Sequence, residues 1–133
     1  MKTSTKWKHD EVFESRQEGN AHSIIIDGNR KEGPGPKSLL LSSLAGCSGI
    51  DVVDILKKKR VIFSDLTIDV ETEQTEGHPK VFKDIFVIYT IRTDSINEEK
   101  VKKAIELSLE KYCGVSAMLK KNSAIHYKLQ LIK

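Results

Sequence analysis

Cysteine is scarce in this 133-residue chain, which has two, Cys47 and Cys113. A secreted disulfide scaffold of this size usually carries more, and a reducing cytosol discourages a structural bridge. No apolar run approaches the roughly 18 residues of a membrane span. The start, Met1-Lys2-Thr3-Ser4-Thr5-Lys6-Trp7, lacks the apolar core of a secretory signal, so a cytoplasmic protein is expected. Charge of one sign is lacking too: 22 basic against 19 acidic residues leave +3. That balance is too mild and too mixed to imply nucleic acid or an anionic membrane as partner. There is no internal repeat and no linker long enough to divide the chain, so a single domain over 1–133 is expected.

Several chemistries lose support in the same way. The sequence has no Walker loop, no GxGxxG and no GxSxG. His9, His22, His78 and His126 are scattered without metal-ligand spacing, so no metal site or cofactor is expected and the histidines should face solvent.

What remains is a clear pattern of elements. Residues around Trp7, Val12-Phe13 and Ser23–Ile26 read as short strands, with Gly19-Asn20 as a hairpin turn. After Gly33-Pro34-Gly35, Pro36 suits the first position of a helix that runs toward Arg60. Its first four turns are apolar nearly all round, which predicts burial on most sides. Lys57–Arg60 sets positive charge at the negative end of the helix dipole.

Leu66, Ile68 and Val70 alternate with polar residues, as in a sheet with one wet face. Phe82–Ile91 is apolar on both faces, which predicts a central strand covered on both sides and paired in a long antiparallel hairpin. Ser95-Ile96-Asn97-Glu98 has the form of a capping box. It opens a helix with Val101, Ala104, Ile105 and Ser108 on one face. A short helix over Val115–Lys120 and a strand through Ile125, Tyr127, Leu129 and Leu131 finish an α+β domain. A helix this apolar in so small a domain needs cover, and an interlocked homodimer is the expected source.

The chemistry then rests on two thiols. Cys47 lies roughly 16 Å into its helix, beyond the reach of the dipole, so a nearby cation or donor must stabilise any thiolate there. Gly46 and Gly49 flank it at a cost of about 1 kcal/mol each relative to Ala. Either a backbone or substrate passes close to the thiol, or the glycines only allow tight packing around an inert cysteine. Cys113 stands near the N-terminus of a short helix, where a thiolate is favoured, although a buried thiol is also an ordinary small hydrophobe. Asp51 and Asp54 share a helix face and could act as acid and base, or pair with lysines or water at its wet edge.

Gly-Pro-Lys-Ser-Leu-Leu-Leu-Ser-Ser-Leu-Ala-Gly-Cys, residues 35–47, resembles the central-helix motif of the OsmC-like proteins, which include the organic hydroperoxide resistance proteins. Tyr112-Cys113-Gly114-Val115-Ser116 resembles the second-cysteine motif of that family, usually Cys-Pro-Val-Ser. Gly46–Leu56 followed by Glu110-Lys111-Tyr112-Cys113 is most similar to a less characterised bacterial subgroup.

The resemblance implies antiparallel sheets wrapped around a long buried central helix, in an interlocked homodimer with two interface sites. It implies a peroxidase in which Cys47 attacks an organic hydroperoxide and becomes a sulfenic acid. Cys113 then closes a disulfide, and a dithiol such as a lipoyl group reduces it. The family's peroxidases carry a Glu ten residues before the first cysteine, orienting an activating Arg. Here that position is Lys37, followed by Ser38. Arg16 and Arg30 remain candidates for the activating cation, with Arg30 preferred for lying closer to the helix start; Lys37 could instead supply the charge directly, without the planar fork that holds a geometry. The alternative is a non-enzymatic dimer of the same fold that binds a small apolar or electrophilic molecule near Cys47.

Overall fold

The three N-terminal runs form strands where the β-branched and aromatic residues predict them: β1 (Thr3–His9), β2 (Val12–Gln17) and β3 (Ser23–Asp27). They make an antiparallel sheet in the order β1-β2-β3. Gly19 turns the β2–β3 connection at φ +87, a conformation that only glycine adopts without strain. Gly33 is needed for a different reason, since a Cβ there would stand 2.5 Å from the Ile25 carbonyl oxygen.

Helix α1 (Pro36–Lys58) begins at the expected proline. The computed structural model describes all 133 residues in two compact units, Met1–Leu40 and Leu41–Lys133, and the boundary between them falls inside α1. The helix ends in a Schellman motif, with Val61 N–H on the Leu56 carbonyl and Arg60 N–H on the Lys57 carbonyl, both at 3.0 Å. Arg60 occupies the left-handed position at φ 58, where glycine is usual. Lys57 and Lys58 fill the last turn.

In the second unit β4 (Phe63–Gln74) and β5 (Phe82–Thr93) form the expected antiparallel hairpin. The last strand, β6 (Ile125–Ile132), corrects the all-antiparallel expectation because it pairs parallel to β5. Between those strands the chain crosses over through α2 (Glu98–Leu107), a π-helical turn (Ser108–Tyr112) and α3 (Gly114–Leu119). Such a crossover returns the chain in its original direction. The capping expectation also shifts by one residue. Asp94 Oδ1 accepts the Ile96 N–H at 2.9 Å and opens a 3-10 turn, Ser95–Asn97, ahead of α2.

The core lies on one face of this sheet. Ile85, Val87, Tyr89 and Ile91 of β5 meet Leu44, Val52 and Leu56 of α1 and Val101, Ala104 and Ile105 of α2. Two expectations of complete cover fail in the single chain. Helix α1 buries one stripe, Leu44, Ser48, Val52 and Leu56, while Ile50 remains 65% exposed. Strand β5 is central, yet its second face is open at Phe86, which is 45% exposed. The physical reason is simple: a helix laid on a three-stranded sheet has only one side to bury. By length and hydropathy α1 is also the one segment apolar enough to cross a membrane, which the run-by-run reading passed over. Its buried stripe packs into the core as that of a core helix does.

Candidate thiol site

Cys47 lies next to the buried stripe of α1, half-buried and one residue before Ser48. The flanking glycines differ. Gly49 lets Ile68 Cδ1 of β4 come within 3.0 Å of where its Cβ would stand, whereas nothing lies within 4 Å of that point at Gly46. Close helix–sheet packing therefore accounts for Gly49, and Gly46 leaves open space beside the thiol.

Cys113, in the crossover, has the Cys47 side chain as a hydrogen-bond partner, and neither thiol is in a disulfide. Its backbone N–H donates to the Ser108 carbonyl at 2.8 Å, closing the π-helical turn. Its Sγ accepts the Ser116 N–H at 3.3 Å as the N-cap of α3. The placement matches the sequence reading, but the electrostatic outcome is opposite. Burial comes first among the causes that push the Cys113 thiol up to about 11. A hydrogen bond to the Cys47 side chain adds to it, the Ser116 N–H pulls the other way, and charge at Cys47 and then Asp51 contributes least. Loss of water outweighs a six-residue helix, and Cys113 is held as a thiol.

Beside the pair runs a buried chain of hydroxyls that the sequence reading missed. Tyr89 Oη and Ser48 Oγ are 2.6 Å apart. Ser108 Oγ lies 2.9 Å from Ser48 Oγ and 2.9 Å from Asp51 Oδ2. Ser48, Tyr89 and Ser108 are all fully buried. A hydroxyl carries one proton and a carboxylate only accepts. The Ser108 proton therefore serves Asp51, Ser48 donates to Ser108, and Tyr89 donates to Ser48. Every member has a partner in this chain, which ends on the Asp51 carboxyl. Burial, first among the causes, pushes the Tyr89 phenol up to about 12, so it remains a donor. The available signals were Ser48 on the buried stripe of α1 and Ser108 continuing the apolar face of α2 into the π-helical turn.

Asp51 is half-buried and lines a surface cleft of about 560 Å³ with Asp54, Ile55, Lys58, Lys59, Leu107 and Tyr112. Of the two aspartates considered as acid and base, Asp51 is tied to the thiol site and Asp54 is exposed.

The candidate cations lie in the first unit. Arg16 is exposed on β2. Arg30 sits at φ 57 in a loop organised by Asp27, whose carboxylate accepts the N–H groups of Asn29, Lys31 and Glu32 at 2.8, 3.1 and 2.9 Å. Those backbone donors, Glu32 foremost, hold the Asp27 carboxyl below its usual range. Lys37 is exposed in the first turn of α1. The four histidines are exposed as expected, with His9 on Glu32 at 2.7 Å and His126 on Asp84 at 3.0 Å.

Comparison with known proteins agrees with this architecture. The model of the family described as "OsmC-like protein" matches residues 28–128. Protein YhfA of Escherichia coli K12 is 32% identical over 133 residues, covering 99% of this chain and 98% of that protein. A crystal structure of a hypothetical protein from Aquifex aeolicus superposes with a TM-score of 0.83 at 29% identity, over 99% of this chain and 97% of that one. The organic hydroperoxide resistance protein OhrB of Bacillus subtilis shares the fold, with a TM-score of 0.64 at 16% identity over 97% and 96% of the two chains.

Proposed function

The chain belongs to the OsmC-like protein family, and on that premise we propose that it is a thiol-dependent peroxidase acting on organic hydroperoxides. The observation that carries the reading is the pairing of Cys47 with Cys113, two free thiols 66 residues apart in sequence, in a site where Cys113 is held protonated. The name of OhrB supports the substrate class, because that relative of the same fold is an organic hydroperoxide resistance protein.

The chemistry follows from the asymmetry of the pair. The Cys47 thiolate attacks the outer peroxide oxygen, the O–O bond breaks, and an alkoxide leaves to be protonated as the alcohol. Cys47 becomes a sulfenic acid. Cys113 sulfur then attacks it: the S–S bond forms, the S–O bond breaks, and hydroxide departs with the Cys113 proton as water. A dithiol, such as a lipoyl group, returns both cysteines to thiols and leaves as its own disulfide. Arg30 is the proposed activating cation. With Lys37 where the family's peroxidases have an orienting Glu, its hold on the thiolate is expected to be loose and turnover slow.

The apolar surfaces left open on α1 and β5 support a homodimer as the working form.

The test is turnover of cumene hydroperoxide with a dihydrolipoyl donor. Cys47→Ser should abolish it. Cys113→Ser should stop after one equivalent, with a trappable sulfenic acid at Cys47. If the native protein consumes no thiol under these conditions, the fold serves as a binding dimer for a small apolar or electrophilic molecule instead.

A further inference from the structure

Ser108 touches both of the segments that carry thiols. Its Oγ lies 2.9 Å from Ser48 Oγ and 2.9 Å from Asp51 Oδ2, one and four residues after Cys47 on α1. Its carbonyl accepts the Cys113 N–H at 2.8 Å. On the α1 side, Ser48 is fixed in turn by Tyr89 Oη of β5 at 2.6 Å. On the other side, the Leu109 carbonyl of the π-helical turn accepts from Ser116 Oγ at 3.0 Å and from Lys120 Nζ at 2.6 Å. The Ser116 N–H also reaches Cys113 Sγ. Cys113 therefore follows a turn that is tied to α1 at Ser108 and to α3 at Leu109.

Ser48 and Ser108 are fully buried, where alanine would suit a helix better and leave no polar atom to satisfy. Apolar contacts set how closely a crossover lies on a helix, but hydrogen bonds fix direction as well as distance. Disulfide closure is sensitive to both, since it needs Cα atoms about 4.4–6.8 Å apart and a torsion of roughly 90°. We propose that Ser108 is a positioning residue for the thiol pair: its hydroxyl registers the crossover on α1 and its carbonyl holds Cys113, which keeps Cys113 within bonding reach of Cys47. The role rests on the peroxidase reading for its purpose, but the disulfide equilibrium can be measured without peroxide.

The experiment equilibrates the full chain in glutathione redox buffers and counts free thiols by mass after alkylation. On oxidation Cys47 and Cys113 give up their thiol protons and two electrons to glutathione disulfide, which leaves as two thiols while the Cys47–Cys113 bond forms. Ser108→Ala should disfavour that bond about tenfold, raising the midpoint potential by about 30 mV. Ser108→Thr retains the hydroxyl and should restore the parent value. Ile105→Val removes a fully buried methyl from α2 without touching the hydroxyl chain, so it should lower stability and leave the potential unchanged. Ser48→Ala removes one of the two α1 anchors and should shift the potential the same way by less. Should Ser108→Ala not fold, Ser48→Ala decides by the same criterion.

An unchanged or more negative potential in Ser108→Ala overturns the proposal. So does an equal shift in Ile105→Val, which reports loosened packing, and so does a parent that forms no Cys47–Cys113 bond in any buffer. A second arm uses cumene hydroperoxide and a dimedone-type sulfenic acid trap. Ser108→Ala should be trapped at Cys47 where the parent closes its disulfide, and equal trapping in the two proteins overturns the positioning. If neither protein loses a thiol to the hydroperoxide, the peroxidase reading falls, and the potentials still decide the role of Ser108.

Discussion

Tyr89 is the largest side chain fully withdrawn from water in this protein, and its one polar atom has Ser48 as partner. Tyr89→Phe deletes the phenol oxygen and leaves Ser48 Oγ with a donor–acceptor deficit in the interior. The expected loss is about 1–2 kcal/mol of unfolding free energy, read from the urea midpoint. Adding Ser48→Ala should recover part of that loss, because a void of matched apolar groups costs less than one orphaned hydroxyl. An equal or larger loss in the double variant would mean that Ser48 is held mainly by Ser108. At this scale the sequence was legible for the thiols and little else. A cysteine between two glycines inside a helix is conspicuous, and the motif around Cys113 is specific. Ser48, Tyr89 and Ser108 are ordinary residues made special only by a fold that brings α1, β5 and the crossover together. The Cys113 thiolate was misjudged because sequence shows the helix start but not the burial.

Asp27 ties together the loop that carries Arg30, and its consequence is a pH dependence. Its folded-state carboxyl is depressed below the unfolded value, so its contribution is complete above the unfolded value of about 4. The contribution is lost as pH falls through the lower folded value. Amide exchange at Asn29, Lys31 and Glu32 should therefore accelerate in that acid window in the native chain. In Asp27→Asn exchange should be faster at neutral pH and show no further step. A native profile flat down to the acid limit would mean that the loop is held by other contacts. At the level of elements the sequence read well wherever a strong local signal existed. Alternation in β4, Pro36 at the start of α1 and the apolar face of α2 all predicted what formed. It read poorly where a non-local partner decides. The direction of β6 depends on the path of the crossover, not on the residues of β6. The cap fell to Asp94 because the chain takes a 3-10 turn before entering α2.

Ile50 of α1, Phe86 of β5, and Tyr112 and Met118 of the crossover are large apolar side chains left exposed in the Leu41–Lys133 unit. Exposed apolar surface of this kind marks an interaction site. The expected outcome of sedimentation at micromolar concentration is a dimer, with a total interface above about 2,000 Å². A stable folded monomer there would mean that these residues serve a different partner. The two cysteines carry a further consequence through chain entropy. A bond between Cys47 and Cys113 would close a loop of 66 residues. Constraining a loop of that length in the unfolded chain is worth about 4 kcal/mol on the chain-entropy account. On the proposed peroxidase reading the oxidised protein would be the more heat-resistant form, and its reduction would give that margin back. The catalytic cycle would be written into the melting temperature, so a thermal scan could follow the fraction of oxidised chains without any label or substrate.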